Sequence, residues 1–432
     1  MGGIFDMVNR PGFTSGENLL RIKRNDPTLK EVIVDLQNES QLHLENDIEA
    51  LGKAIGNNTH VCKMWLHLML RARDNANEAK LNLFQLFLEE ISQNRSIENL
   101  WLDYQELQLG ADLIVRSIGP FLERNNNLKT FRITFFRIEL NRDNMNSIMA
   151  PLVRRETPLE KLDLGWNSID DDSVEALVTL FLGNPAMAPK EIDLSGNCIS
   201  DNGCRSLATL LQNPRFTLEK LNLYENDVKV NSAILFVNAL VGNTTLKELN
   251  INGDCISTEY MTTGGLRAFS QSLCDTTNIN TTYSSNHTLQ VLAYLGGYMS
   301  PDYELDDPDY DSDDDYEIEL RIENKLHLEI SQYLSWNAND NKTIVARKKL
   351  FMNHFVTNFT MEPFEGMEPE LLIRVLSFME KASGENGGVT NSVARNLILS
   401  ELVTKNPMIC DIVKTGPDTN VNVHSRKRNR GY

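Results

Sequence analysis

The spacing of apolar residues along this chain changes within short stretches, and the change recurs. In the stretch 191–213, Ile192 and Leu194 are two positions apart, which is the period of a strand with one buried face. From Leu207 onward, apolar residues follow the three- and four-residue spacing of an amphipathic helix. Asn197 lies between the two patterns. The stretch therefore predicts a strand, a turn and a helix.

Copies of this pattern start at nine places along the chain. The clearest share L-x-x-L-x-L-x-x-(N/D/Q)-x-L, and the ninth copy is degraded. Starts are 28 to 36 residues apart, except for a 43-residue interval before the ninth copy, which predicts an insertion. The register of the first two copies is open by one or two residues. Single copies cannot bury their apolar face, so we expect them to stack. The starts are Leu29, Val61, Ile97, Leu128, Leu159, Pro189, Leu218, Leu246 and Leu289.

An asparagine recurs at the turn between strand and helix. It is present as Asn167, Asn197 and Asn226, and Gln105 and Asp254 hold the same place in two other copies. The turn leaves backbone donors and acceptors that need buried partners, and an amide side chain offers both. The three asparagines therefore predict a structural ladder through the stacked repeats, not a catalytic site.

Residues 28–298 resemble the ribonuclease-inhibitor class of leucine-rich repeat, because each copy has a full helix within about thirty residues. The resemblance implies an α/β fold, a horseshoe with parallel strands on its concave side and helices on its convex side. It is specific for fold and says little about function. Ribonuclease inhibitor is far richer in cysteine than this chain, which has six, and this departure argues against inhibition of secreted ribonucleases.

The segments outside the array differ in character. Residues 1–27 form an N-terminal extension, and 299–319 are acidic and predict a flexible linker in which Ser312 resembles a kinase site. Residues 320–414 have helical spacing and are expected either to cap the array or to form a separate binding domain. The basic tail, 415–432, is expected to be disordered.

Composition limits the classes of partner and the cellular compartments that we expect for this chain. The net charge of −18 disfavours nucleic acid as the main partner. The chain shows no secretory signal and no transmembrane run, so no membrane partner is expected. Six scattered cysteines fit a reducing compartment. We expect a monomer in the cytoplasm, and the basic cluster of the tail offers the nucleus as an alternative.

No catalytic motif is found in the sequence. It contains no phosphate-binding glycine loop, no H-E-x-x-H and no G-x-S-x-G, and its seven histidines are scattered. No CxxC pair suggests a zinc site, and the acidic run lacks the glycine and the final glutamate of a calcium loop. We therefore expect no enzyme activity, no cofactor and no metal.

The concave face is the surface that says most about a partner, because the strand residues between the core leucines lie on it. Aromatic residues concentrate in copies two to five, and later copies are smaller and more polar. Aromatic anchors would supply apolar burial and carboxylates would select a basic partner. The alternative is that some rings stack on each other across strands or lie under a loop. The candidate partner-binding residues are Trp65, Trp101, Asp103, Tyr104, Phe135, Asp163, Trp166, Asp193 and Tyr224.

Two functions of different classes follow. The first is a non-catalytic interaction scaffold that binds a protein or peptide, with a basic surface, on the concave face. The second is a GTPase-activating regulator, because the order of repeats and acidic segment resembles that of Ran GTPase-activating proteins. No catalytic residue is assigned for the second function.

Overall fold

The structure is a computed structural model, and it places most of the chain up to residue 353. Its described residues are 16–35, 45–69, 77–105, 111–136, 140–252, 263–293, 314–339, 342–350 and 353. Of the features predicted from sequence, Ser312, Asp254, most of the acidic segment and the basic tail lie outside these residues.

In the described part of the chain, nine strands form one parallel sheet in chain order. This arrangement is the leucine-rich repeat horseshoe fold expected from the sequence, in which each strand is followed by a helix. Repeat n is named after its strand βn. The strands are β1 Glu31–Asp35, β2 Lys63–Met69, β3 Asn99–Gln105, β4 Thr130–Phe136, β5 Lys161–Asp163, β6 Glu191–Asp193, β7 Lys220–Asn222, β8 Glu248–Asn250 and β9 Val291–Ala293.

The helices alternate with the strands and present apolar faces to the sheet. Phenylalanines on these faces, such as Phe87, Phe121 and Phe236, are fully buried. The helices are α1 Gly16–Lys23, α2 Glu45–Gly56, α3 Asn77–Ile91, α4 Ala111–Arg124, α5 Arg142–Val153, α6 Asp171–Gly183, α7 Asp201–Leu211, α8 Val230–Leu240, α9 Thr263–Leu273, α10 Ile279–Ser284, α11 Asp314–Asn339 and α12 Lys342–Leu350.

The chain divides into two units. The first contains residues 1–275 and 284–346, and it holds the sheet. The second contains 276–283 and 347–432. Within the second unit, the Thr282 N–H donates to the Asn278 carbonyl at 3.0 Å, which forms one helical turn. None of the helices in the described residues combines the length and apolar content needed to cross a membrane.

One column of apolar residues sets the register of the sheet. It consists of the second consensus residue of each of the nine copies, so the structure has the register that the repeats predict, including the first two copies. Positions along each strand are numbered from this column as position 0. The column is Val32, Met64, Leu100, Phe131, Leu162, Ile192, Leu221, Leu249 and Leu292.

The asparagines predicted to form a ladder link neighbouring repeats. Asn197 Nδ2 donates to the carbonyl of Leu164 in the preceding repeat at 3.1 Å. Its Oδ1 accepts from the backbone N–H groups of Asn167 and Ile169, each at 3.0 Å. Asn167 and Asn226 likewise donate to carbonyls of the repeat before theirs, each at 2.8 Å. The turns of repeats 5 to 7 are thereby tied together by buried amides.

A second row of buried asparagines lies where each helix ends and the next strand begins. In this row, Asn94 Nδ2 donates to the carbonyls of Ile55 at 2.6 Å and Asn58 at 2.8 Å. Its Oδ1 accepts from the N–H groups of Ser96 and Ile97 at 2.7 and 2.9 Å. This row, which was not predicted from the sequence, stabilises the loops at the end of the sheet where the strands begin. It consists of Asn58, Asn94, Asn125, Asn243 and Asn286.

Repeat 4 places an arginine near this row in place of an asparagine. The buried Arg155 Nη2 donates to the carbonyls of Asn125 and Leu128 at 2.9 and 2.7 Å. Burial lowers the pKa of Arg155 to about 10. Its Nε and Nη1 have no hydrogen-bond partner among the described residues. The guanidinium thus joins repeats 3 and 4, as the buried amides join other repeats.

Helix α11 begins at Asp314, inside the segment predicted as a flexible linker. Residues 314–319 are therefore helical, and that part of the linker prediction is wrong. Acidic residues are favourable in a first helical turn because they face the positive end of the helix dipole. Farther along, Ile330 and Trp336 are buried, and Asn337 Nδ2 donates to the Leu289 carbonyl at 2.5 Å. This part of α11 packs on α9 and on β9.

Candidate functional site

Strands β2 to β8 fall into two length classes at the concave face, which carries positions −1, +1 and +3. Strands β2 to β4 each have seven residues, whereas β5 to β8 each have three and end at position +1. The longer strands hold Trp65, Trp101 and Arg132 at this position, and the shorter ones hold aspartate or asparagine. The residue at position +1 therefore distinguishes the two classes.

Aspartate or asparagine at position +1 makes a turn with its own strand. Asp163 Oδ1 accepts from the Gly165 N–H at 3.3 Å, and Asp193 Oδ1 accepts from the Ser195 N–H at 3.0 Å. Asn222 and Asn250 make the same bond two residues ahead, each at 3.1 Å. The bond occupies a backbone donor that would otherwise continue the strand pairing, so the regular strand ends at position +1. Single backbone bonds between repeats continue beyond it, as from the Leu164 and Trp166 N–H groups to the carbonyls of Asp193 and Ser195, each at 2.8 Å. Aspartate or asparagine recurs at position +1 in four successive copies. This recurrence was not recognised in the sequence as the sign of a turn.

The two tryptophans at position +1 stack on each other. The ring centroids of Trp65 and Trp101 are 4.3 Å apart, with an interplanar angle of 15°. Both residues remain half-buried, so part of each ring still faces solvent. Stacking across strands and exposure to a partner were alternatives at the level of sequence, and for this pair the structure shows stacking together with partial exposure.

Arg132 lies between the tryptophans and the first aspartate of the row. Its Nε donates to Thr134 Oγ1 at 3.2 Å and lies 4.0 Å from Asp163 Oδ2. On the neighbouring strand, burial raises the pKa of Asp103, and the charges of Arg132 and His67 and a bond from Thr134 act in the opposite direction. The guanidinium is thus shared between carboxylates on both sides.

Asp163 and Asp193 occupy the same position on neighbouring strands. Burial raises the pKa of Asp163 and the Asp193 carboxylate raises it further, while Arg132 and Lys161 offset part of this rise. Asp193 Oδ2 accepts from Asn222 Nδ2 at 3.1 Å. Two like charges therefore face each other on the concave face, and the nearest guanidinium is 4.0 Å from Asp163.

Trp166 lies at position +4 of repeat 5 in the left-handed backbone region, with φ +64°, and is 47% exposed. A bulky residue rarely adopts this conformation. Its ring covers Gly196, which has the same position and the same φ in repeat 6. A Cβ added to Gly196 would lie 2.5 Å from Trp166 Cδ2. Trp166 is therefore both strained and exposed, a combination that is frequent at functional sites.

The remaining candidates are placed in less detail. Tyr104 and Phe135 pair at position +4 of β3 and β4, and their side chains lie outside the described residues. Tyr224 is half-buried at position +3 of repeat 7. At position +1 the candidate residues therefore form an aromatic pair on β2 and β3 and an acidic pair on β5 and β6.

Charges of alternating sign run across the strands in two rows, which are called the charge rows. At position −2, Lys129 is 3.0 Å from Glu98 and Lys247 is 2.6 Å from Glu219. Consecutive repeats carry Glu-Lys, Lys-Glu, Glu-Lys and Lys-Glu, a pattern that sequence reasoning also missed. Each charge thereby meets opposite charges on its neighbours. The charge rows are Glu98, Lys129, Glu160, Lys190, Glu219 and Lys247 at position −2, and Lys161, Glu191, Lys220 and Glu248 at position −1.

The described residues show little that is suited to catalysis. Cys204 is buried, and burial raises the pKa of its thiol to about 12, which keeps it protonated at neutral pH. In the part of the chain that the structure covers, no three side chains of His, Cys, Asp or Glu are placed to hold a metal ion.

Comparisons with known proteins match part of the array. Residues 156–178 and 190–208 match the family model of a leucine-rich repeat. A stretch of 129 residues, or 30% of this chain, is 26% identical to ribonuclease inhibitor from Sus scrofa. The match spans 27% of the inhibitor, so the chain covers about a quarter of the length of this relative.

Proposed function

We propose that this chain, a leucine-rich repeat protein of the ribonuclease-inhibitor-like type, is a non-catalytic scaffold that binds a protein or peptide on its concave face. Leucine-rich repeats indicate a protein-interaction scaffold in general. The similarity to ribonuclease inhibitor supports the proposal, because that relative, as its name says, acts on another protein. The site and the chemistry of the partner come from the residues on the concave face.

The stacked pair Trp65–Trp101 carries the proposal. Stacked, half-buried tryptophans on an open sheet face offer rigid apolar surface, which is the usual anchor of an interface. Trp166 adds a strained, exposed ring on repeat 5. Asp163 and Asp193 lie on the same face of the sheet and favour a partner with a basic surface.

The remaining properties follow from composition. A net charge of −18 supports a protein partner over nucleic acid or an anionic membrane. We propose a monomer that acts in the cytoplasm, with the nucleus as the alternative. The GTPase-activating alternative stays a prediction from the order of repeats and acidic segment, and GTP hydrolysis by a Ran-type GTPase with and without the protein tests it.

The experiment is affinity capture from native lysate with the full chain and with Trp65→Ala/Trp101→Ala. We expect at least one partner to be lost from the variant, because the variant lacks the apolar anchor. Captured proteins are identified by mass spectrometry. Circular dichroism and thermal melting first establish that the variant is folded.

The matched control is Leu182→Ala/Ile234→Ala, which removes exposed apolar side chains from α6 and α8 on the helical side. This control is expected to keep every partner. If the tryptophan variant and the control capture the same partners as the parent chain, the concave face is not the binding site and the proposal is wrong.

A further inference from the structure

The aromatic and acidic groups of the concave face are separated by a fixed distance. The tryptophan pair lies on β2 and β3, the aspartate pair lies on β5 and β6, and all four residues occupy position +1. Adjacent strands in a sheet are about 4.8 Å apart. The centres of the two pairs are three strands apart, so they are separated by roughly 14 Å across the sheet.

The acidic group has more negative charge than its neighbours balance. Lys161 pairs with Glu191 and also interacts with Asp163 and Asp193, so its single charge is divided among three carboxylates. Arg132 lies 4.0 Å from Asp163 and also near Asp103, and its single charge faces both of these carboxylates. Asp193 is bonded to Ser195 and Asn222, which carry no charge. A cation brought by a partner would relieve the repulsion between Asp163 and Asp193.

We propose that the concave face binds an extended segment of a partner protein in which an apolar residue is followed or preceded, four positions away, by arginine or lysine. This inference rests on the proposed function and specifies its partner. The apolar side chain contacts Trp65 and Trp101, and the cation contacts Asp163 and Asp193.

The four-residue separation follows from chain geometry. An extended chain advances about 3.4 Å per residue, so four residues span roughly 14 Å. Side chains four positions apart in an extended segment lie on the same face, because the period of a strand is two. Both anchors can therefore face the sheet at once. In a helix, which rises about 1.5 Å per residue, the same distance takes about nine residues.

The test uses synthetic peptides with blocked ends, each with one leucine and one arginine in a serine and glycine background. The separation between the two residues runs from one to nine positions. Because these peptides contain no tryptophan, the tryptophan fluorescence of the full chain reports binding. We expect the tightest binding at a separation of four, with a loss of about tenfold when arginine is replaced by glutamine, as for one charge-assisted hydrogen bond.

A variant that keeps the fold tests the acidic group. Asp163→Asn/Asp193→Asn retains the turn bonds, because asparagine makes the same bond at Asn222 and Asn250. We expect this variant to bind the four-separation peptide about tenfold more weakly. The control Asp172→Asn/Asp227→Asn removes two exposed charges elsewhere and is expected to bind as the parent does.

Several outcomes would overturn the inference. Binding without dependence on separation, or equal losses in the variant and the control, would show that only general charge attraction is at work. Tightest binding at nine positions would show a helical partner. If no peptide binds while Trp65→Ala/Trp101→Ala still loses its captured partner, the peptide class is wrong and the scaffold function stands.

Discussion

Repeats 2 to 4 and repeats 5 to 8 share one core column but treat their strand ends differently. In the later repeats, aspartate or asparagine at position +1 bonds its own backbone, and the strand stops after three residues. In the earlier repeats, Trp65, Trp101 and Arg132 hold that position and the strand runs for seven residues. The same backbone period thus gives a regular, polar region next to a region with a longer sheet that displays aromatic rings.

The comparison teaches that the residue at position +1 decides how the strand ends and which kind of side chain the concave face displays. In aspartate and asparagine, one side-chain oxygen accepts the hydrogen bond of the turn. The tryptophans make no such bond, so their rings are left for stacking and contact. The core column, which is the same in both regions, does not determine this choice.

The largest effect is expected when the turn of a later repeat receives the residue of an earlier one. Asn197→Met places in repeat 6 the residue that repeat 2 has at position +5. It removes five hydrogen bonds to buried backbone, so we expect a loss of about 3 kcal/mol or more in the free energy of unfolding. Urea titration measures it, and Asn202→Met on the exposed face of α7 is the control. A loss below about 1 kcal/mol would contradict the structural role of the amide.

A smaller loss is expected at position +4. Gly196→Ala puts a Cβ into the left-handed region and against the Trp166 ring, and we expect a loss of about 2 kcal/mol in the free energy of unfolding. Gly183→Ala is the control, because an added Cβ there meets no atom within 4 Å. Equal stability of the two variants in thermal melting would show that the contact with Trp166 is easily relieved.

The charge rows should have an effect that depends on salt. Glu160→Lys/Lys161→Glu leaves the net charge unchanged but sets like charges side by side with repeats 4 and 6. We expect a loss of about 1 kcal/mol at low ionic strength and almost none at high salt. Unfolding free energies at the two ionic strengths measure it. The idea fails if the loss is the same in both, because the cause would then be packing.

The smallest expected effect is a gain in the free energy of unfolding. The pKa of Asp163 is raised in the folded chain, so the folded state favours the protonated carboxyl. Its contribution to stability is fully present below the pKa of the unfolded chain and is lost as the pH rises through the folded value. Asp163→Asn should therefore match the parent chain at acidic pH and exceed it by less than about 1 kcal/mol at neutral pH. Thermal melting across that pH range would refute the idea if the parent chain were the more stable at neutral pH.

The fold could be predicted from sequence because the core imposes one spacing on every repeat. The residues Val32 to Leu292 of the core column follow from that spacing alone, even in copies as weak as the one that starts at Val61. The buried turn asparagines were predicted for the same reason, since an apolar stretch interrupted by one amide needs an internal partner for it.

The polar details were harder to predict because they depend on which backbone groups the turns leave open. Asp163 and Asp193 were expected only as partner-binding residues, yet each also bonds a backbone N–H two residues ahead. Asn94 and its row needed the path of the helix-to-strand loops. The start of α11 at Asp314 was missed because a dense acidic run reads as solvated chain, although the same charges suit a helix start.

The alternation of the charge rows also constrains how an array of this kind can change in length. Solenoids grow and shrink by whole units, since each unit contacts only its neighbours. From Glu98 to Lys247, duplication of a single unit would put two identical signs next to each other, whereas duplication of two consecutive units would keep the alternation. Over this stretch the building block that can be inserted or removed without electrostatic conflict is therefore a pair of repeats.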